Sequence, residues 1–221
     1  MRFSTDLGYT SREDKPEYVH DKYESILTDS VLDVGADQGL LGAELQSSAD
    51  YLPIGLGPGA EMRFNLEHGG LPFEDDSFHC VVCLEVLEHL DNIHHVFDEL
   101  CRVGRRYVLI SLPNPWASFL GMLAKGNYDG ERRPIKFYYL SADPPNDRHK
   151  WFFGAHEADS FIRERAALNG WSTVQIDQEW SIDSPLLRRS LRTLLKLFVN
   201  REVDADSLLR ANTWGVIEPE T

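Results

Sequence analysis

Apolar residues along this chain fall into short continuous runs separated by stretches with three-to-four-residue spacing, an alternation that predicts an α/β protein. EYVHDKYESILT, residues 17–28, predicts an entry helix, and Ser30 to Val34 a first strand that stops at a glycine-bearing turn, GADQG. A helix from about Leu40 to Ser47 comes next. Tyr51 to Leu56, Glu61 to Asn65 and Ser77 to Leu84 predict three further strands. The last is continuously apolar, as suits a parallel strand covered on both faces. Asn92 to Arg102 places Ile93, Val96, Phe97 and Leu100 at the spacing of a buried helical stripe, and Arg106 to Leu112 predicts a fifth strand.

Beyond Pro113 the pattern breaks. Residues 113–150 hold five of the chain's eleven prolines, with Gly121, Gly126 and Gly130, and carry Trp116, Phe119, Tyr128, Phe137, Tyr138 and Tyr139. An irregular excursion of that length in a compact domain is expected to be a lid or binding loop. A helix at His156 to Asn169, a strand at Trp171 to Gln178, an amphipathic stretch at 185–200 and a last strand near Thr213 to Ile217 complete the reading, and no internal repeat is visible.

Composition narrows the classes. With 22 Lys+Arg against 36 Asp+Glu in 221 residues, the net charge is −14, which argues against a generic nucleic-acid coat, so no nucleic-acid partner is expected. No leader-like apolar run or stretch long enough for a membrane span is present, and a cytoplasmic protein is expected. Against the acidic background, PLLRRSLRTLLKLFVN (185–200) carries Arg188, Arg189, Arg192 and Lys196 and no acid. It reads either as a peripheral contact with a membrane or anionic headgroup, or as a cap helix packed by Leu187, Leu191, Leu194 and Phe198.

The three cysteines give no disulfide framework. Cys80 and Cys83 form a CxxC inside a predicted strand, where residues three apart point to opposite faces, so core thiols are expected rather than a metal pair. His94 and His95, adjacent on a helix, point about 100° apart. No metal site is expected.

VLDVGADQGLLGAEL, residues 31–45, sets an acid at a strand end before a glycine turn and a helix. Glycines at 35 and 39 would let a ligand approach backbone at the carboxyl edge of a parallel sheet. A dinucleotide fingerprint begun at Gly35 would need glycines where Asp37 and Leu40 stand, so a nucleotide-binding oxidoreductase loses its main support.

The run resembles motif I of class I S-adenosylmethionine (SAM)-dependent methyltransferases, with Asp33, Gly35, Asp37 and Gly39 in the family's D/ExGxGxG pattern. The similarity continues at the family's intervals through YLPIGLGPGAEMRFNLEHGGLPFEDDSFHCVVCLEVLEHLDN and RRYVLISLPNP, over about residues 28–113. It is fainter at HKWFFGAHEADSFIRERAALNGW, and TWGVIEP fits the family's closing antiparallel strand. The resemblance implies one three-layer Rossmann-like domain spanning 1–221, α/β, with a seven-stranded mostly parallel sheet of order 3-2-1-4-5-7-6, an aromatic lid at 113–150 and a helical cap insertion at 184–210.

It further implies SAM as cofactor, cradled by Asp33, Gly35, Ala36, Asp37, Gly39, Asn65, Leu66, Leu84 and Glu85, with Leu71, Pro72 and Phe73 near the adenine. Methyl transfer to a small-molecule, glycan-like or lipid-linked acceptor follows. His89 and His149 are the candidates for a general base, should one be needed at all. The strand-final acid that holds the ribose in this family falls at Gly57. Its absence is expected to weaken SAM binding roughly ten- to a hundred-fold unless Asp37 or Glu61 substitutes. A degenerate SAM-fold binding or scaffold protein without turnover is therefore the alternative reading.

Overall fold

A computed structural model describes residues 2–5, 8–9, 11–45, 49–125, 148–182, 184–198 and 204–220, the side chains of 122–125 and 206 excepted. The elements run α1 (Lys15–Tyr23), β1 (Asp29–Val34), α2 (Leu41–Glu44), β2 (Ala49–Gly55), β3 (Met62–Arg63), β4 (Phe78–Leu84), α3 (Ile93–Val103), β5 (Gly104–Pro113), α4 (Pro115–Lys125), α5 (Ala155–Leu168), β6 (Trp171–Trp180), α6 (Pro185–Phe198), α7 (Ala205–Leu208) and β7 (Arg210–Pro219). Single 3-10 turns lie at Leu66–His68 and Leu87–His89.

The strands form one seven-stranded sheet in the order β3-β2-β1-β4-β5-β7-β6, as expected. β3, β2, β1, β4 and β5 are mutually parallel, and β7 runs antiparallel between β5 and β6. Because side chains alternate along a strand, each central strand feeds two cores. Leu32, Val81, Cys83 and Val108 pack with the α3 stripe of Ile93, Val96, Phe97 and Leu100 and with Ile162 of α5. On the opposite face Val31, Cys80, Val82 and Leu109 meet Tyr18, Val19 and Tyr23 of α1 and Leu41 of α2. Cys80 and Cys83 are thus buried in different cores, Cys101 is buried as well, and all three are free thiols. Among the described residues no helix is long and apolar enough to cross a membrane.

Three local readings are corrected. The entry helix stops at Tyr23, whose carbonyl accepts from the backbone N–H of both Ile26 and Leu27, so that this pair drops into the core ahead of β1. The third strand shrinks to Met62–Arg63 because the Asn65 side-chain carbonyl accepts from Glu67 N at 3.0 Å and starts the 3-10 turn. The excursion after Pro113 begins as a helix: Asn114, almost wholly buried, caps α4 by accepting from Trp116 N (3.0 Å) and donates Nδ2 to Ser207 O (2.6 Å). Asn followed by Pro is a helix-start signal that the density of prolines obscured. Tyr128, Phe137, Tyr138 and Tyr139 lie outside the described residues.

Within the stretch at 185–200, α6 is a helix, but of the residues expected to pack it Leu187, Leu194 and Phe198 are exposed and Leu191 is only partly buried. Instead Arg188 and Arg192, together with Arg210, lie over the Trp180 ring at 4.4, 5.3 and 3.3 Å from its centroid. Cation–π contact holds α6 to the end of β6.

Candidate active site

A cleft of about 870 Å³ opens at the carboxyl ends of β1, β2 and β4, the edge where parallel sheets bind ligands. Asp33, Gly35, Ala36, Asp37, Gly39, Asn65, Leu66, Leu84 and Glu85 all line it, and so does His89. The N-terminal segment forms the facing wall through Tyr9, Arg12 and Lys15.

Asp33 is the penultimate residue of β1, with its carboxylate turned toward the neighbouring strand. The Tyr51 hydroxyl on β2 donates to Asp33 Oδ2 at 2.5 Å. Burial pushes the carboxyl pKa up to about 6, against the opposing pull of that hydrogen bond and of the Lys15 charge.

Glu85 follows β4 with a left-handed backbone, φ 55°, a conformation that costs energy for a side chain of this kind. Its N–H donates to Ser111 O (3.0 Å) on β5. Its carboxylate pairs with Lys15 Nζ (2.9 Å) and accepts from Asn212 Nδ2 (3.2 Å), which also donates to Tyr9 Oη (2.8 Å). The strained turn and three partners hold an acid at the cleft wall.

The two motif glycines line the cleft and also meet a packing constraint. Gly35 and Gly39 do have φ of +84° and +65°, but a Cβ on Gly35 would lie 2.4 Å from a Val86 methyl, and one on Gly39 would lie 2.7 Å from Gly59 O. A side chain at either position would meet protein, so the glycines let the loop close against the segment after β4 and against GLGPG.

The position expected to carry the ribose acid is equally constrained. Gly57 lines the cleft, but a Cβ there would sit 2.2 Å from Asp37 O, and Gly59 N donates to that same carbonyl at 2.8 Å. Neither expected substitute is simply available: Asp37 pairs with Arg12 at 2.6 Å, and Glu61 is exposed and does not line the cleft.

Leu71, Pro72 and Phe73 also stand away from the cleft lining. Leu71 N donates to Glu99 Oε2 (2.6 Å), and Arg102 donates to Leu71 O and Phe73 O, so the segment is strapped to α3. Asn65 spends its side-chain carbonyl on capping the 3-10 turn, leaving its amide for the cleft.

His89 and His149, far apart in sequence, meet with ring centroids 4.6 Å apart. Backbone hydrogen bonds from Lys150 N (2.7 Å) and Trp151 N (3.2 Å) to Glu88 O bring the second segment to the first. Sequence reading missed Tyr51, Glu88 and the N-terminal wall. For Tyr51 a signal existed, because pairing Val31 with Tyr51 across parallel strands puts Tyr51 on the face of Asp33.

Residues 32–110 match a family model described as a methyltransferase domain. Residues 32–110 are thus similar to a methyltransferase domain, and the sheet order is that of the class I methyltransferase fold. SAM is the cofactor such a domain takes. Comparison with curated proteins found no relative by sequence.

Solved structures share the fold at low identity. The chain resembles the magnesium protoporphyrin IX methyltransferase ChlM of Synechocystis PCC 6803, solved with bound SAH (14% identity, 97% of this chain and 90% of that chain, TM-score 0.54). It also resembles the methyltransferase domain of bacterial CtHen1-C (16%, 95% and 98%, TM-score 0.54). The small RNA methyltransferase HEN1 aligns with all of this chain over 27% of its own length (12%, TM-score 0.60).

Tested against SAM, the cleft holds residues of suitable chemistry beside the Arg12 and Lys15 cations of its wall. It offers the Asp33 and Glu85 carboxylates for a cation, and Leu56, Phe64, Leu66 and Val86 as apolar wall for an adenine. A second hollow beside it, sharing Tyr9, is floored by residues already engaged, the Lys22–Asp177 ion pair (3.0 Å) and the arginine-covered Trp180, and reads as a seam between α1 and β6.

Proposed function

We propose that this domain transfers a methyl group from SAM to a hydroxyl-bearing small molecule of glycan-like character, with Asp33, Gly35, Ala36, Asp37, Gly39, Asn65, Leu66, Leu84 and Glu85 as the cofactor cradle. The observation that carries the reading is the pair of acids at the ends of adjacent parallel strands, both lining one cleft. SAM supplies an electrophilic methyl on a sulfonium cation, so the chain's task is to hold and orient.

Asp33, anchored by Tyr51, orients the loop and presents negative charge to the cofactor's cationic end. Glu85 adds a second negative charge on the opposite wall, where Lys15 already shows that a cation is accepted. Val86 and Leu90 exclude water beside them.

The acceptor enters past His89, from the side where residues 148–151 close over the 3-10 turn. A net charge of −14 disfavours a polyanionic acceptor, which supports a small molecule over RNA. Outward-facing Arg189 and Lys196 beside exposed Leu186, Leu197 and Phe198 support contact of α6 with an anionic, lipid-linked or membrane-bound acceptor.

Incubation with SAM and a panel of polyhydroxylated small molecules, alongside short RNAs, tests the reading by release of SAH. Formation of SAH with a small hydroxylated acceptor and not with RNA is the expected result. Release with RNA alone contradicts the acceptor class, and SAM binding without release under any condition favours the scaffold alternative.

A further inference from the structure

We infer that Glu88, His89 and His149 form a binding site for a single divalent transition metal, zinc in the first instance, set in the wall of the cofactor cleft. One ligand atom from each residue lies within 4.8 Å of the other two, and Glu88 is 1% exposed at its side chain, His149 9% and His89 21%. Two histidines and a glutamate are a donor set suited to zinc and its neighbours, and three protein ligands leave a position open.

The hydrogen bonding of His89 selects the ligand form. His89 Nδ1 lies 2.9 Å from the Arg148 carbonyl, which can only accept, so Nδ1 carries a proton and, in the neutral ring, Nε2 carries the lone pair that binds a metal. That lone pair faces Glu88 Oε1 at 3.7 Å, and His149 Nε2 faces the same oxygen at 4.0 Å. Both separations exceed the hydrogen-bond range of roughly 2.7–3.2 Å. Two ligands on one tetrahedral zinc, with bonds of about 2.0–2.2 Å, stand about 3.4 Å apart, so small side-chain rotations close the site. The carbonyl behind His89 is the outer-shell partner that metal-bound histidines ordinarily have.

The scaffold around the three residues is tied from both sides. Lys150 N and Trp151 N donate to Glu88 O, Trp151 Nε1 donates to Leu90 O (2.6 Å), and Lys150 Nζ reaches both Glu67 (2.6 Å) and Asp91 (2.7 Å). These contacts hold His149 against a residue sixty positions away in sequence, a placement that space-filling alone does not require.

The inference rests on the methyl-transfer reading in one respect. Since His89 lines the cleft, the open coordination position is where an oxygen of the acceptor arrives, and the two histidines then orient acceptor through the metal instead of acting as free bases.

Metal-free protein, prepared with chelator, is titrated with cobalt(II) while the visible absorption is followed, and with zinc by calorimetry; SAM binding to the same metal-free sample is measured separately. One equivalent of cobalt with the intense absorption of a four- or five-coordinate site is expected, with affinity reduced at least about tenfold in His149→Gln and in His89→Gln. Absence of saturable one-equivalent binding, or equal affinity in His149→Gln and His89→Gln, overturns the site. Glu88→Gln, which keeps the buried shape, provides a check should either histidine variant misfold: cobalt affinity unchanged from wild type overturns the site equally. Metal binding that fails while SAM still binds removes this inference alone, and SAM binding that fails while cobalt binds removes the cofactor reading alone.

Discussion

Asp33 carries the residue-scale argument, because its environment sets a pH dependence of known sign. Burial raises its carboxyl from the ordinary 3.8 to about 6, so the folded protein holds that proton more tightly than the unfolded chain does. Its contribution to stability is therefore full below about pH 4 and lost as pH rises through 6. The anionic form that attracts a cation is populated only above 6, so affinity for SAM should fall about tenfold between pH 7 and pH 5 and level off above 7. Calorimetry across that range checks it. Asp33→Asn should flatten the profile, and a wild-type affinity independent of pH would remove Asp33 from the cofactor's charge recognition.

Gly57 supplies the second residue-scale test. The family resemblance casts it as a lost ribose acid, whereas the structure shows backbone of the motif loop 2.2 Å from where its Cβ would stand. Gly57→Ala should cost about 1–3 kcal/mol through overpacking, read as a lower thermal midpoint. Gly57→Asp should weaken SAM binding and not restore it. Unchanged stability in the alanine variant would mean the two loops are not in contact in solution.

At the scale of elements, strands were more legible than the connections between them. The β4 run FHCVVCL sits between two helical layers and has to be apolar on both faces, so its sequence announces it. β3 is two residues long and ends in a side-chain cap, a competition between Asn65 and the strand ladder that hydropathy does not register. α6 shows the same limit in another form. Its leucines at helical spacing suggested a packed cap, yet what fastens the helix is Arg188 and Arg192 on Trp180, an interaction with no periodic signature.

Changing Leu186, Leu197 and Phe198 together to serine should therefore leave the fold nearly untouched. Exposed substitutions cost within about 0.5 kcal/mol each, so the thermal midpoint should drop by no more than roughly 5 °C, while cosedimentation with anionic vesicles is lost. A much larger drop would show that the face is packed in the molecule.

Over the whole molecule, the order of the sheet was implied by the family resemblance, and the cleft at its carboxyl edge followed from the acid–glycine turn, since a parallel sheet leaves few places for a ligand. What could not be read was convergence. His149 approaches Glu88 and His89 only because backbone bonds from Lys150 and Trp151 draw a distant segment in. Lys15 and Tyr9 reach the cleft only because α1 packs across β1 and β7 through Tyr18 and Trp214. Such contacts depend on tertiary packing and leave no local trace in the chain. The acidic net charge, similarly, speaks to polyanions in general and does not by itself name an acceptor.

The central claim is that SAM binds in the cleft between the ends of β1 and β4, held by the acids there. Calorimetric titration of the wild-type protein and of Asp33→Asn with SAM at pH 7.5 tests it most directly. The account expects a dissociation constant on the order of micromolar for the wild type, competition by SAH, and at least about tenfold weaker binding in Asp33→Asn with the thermal midpoint retained. No saturable binding to the wild type, or equal affinity in the folded variant, would contradict it.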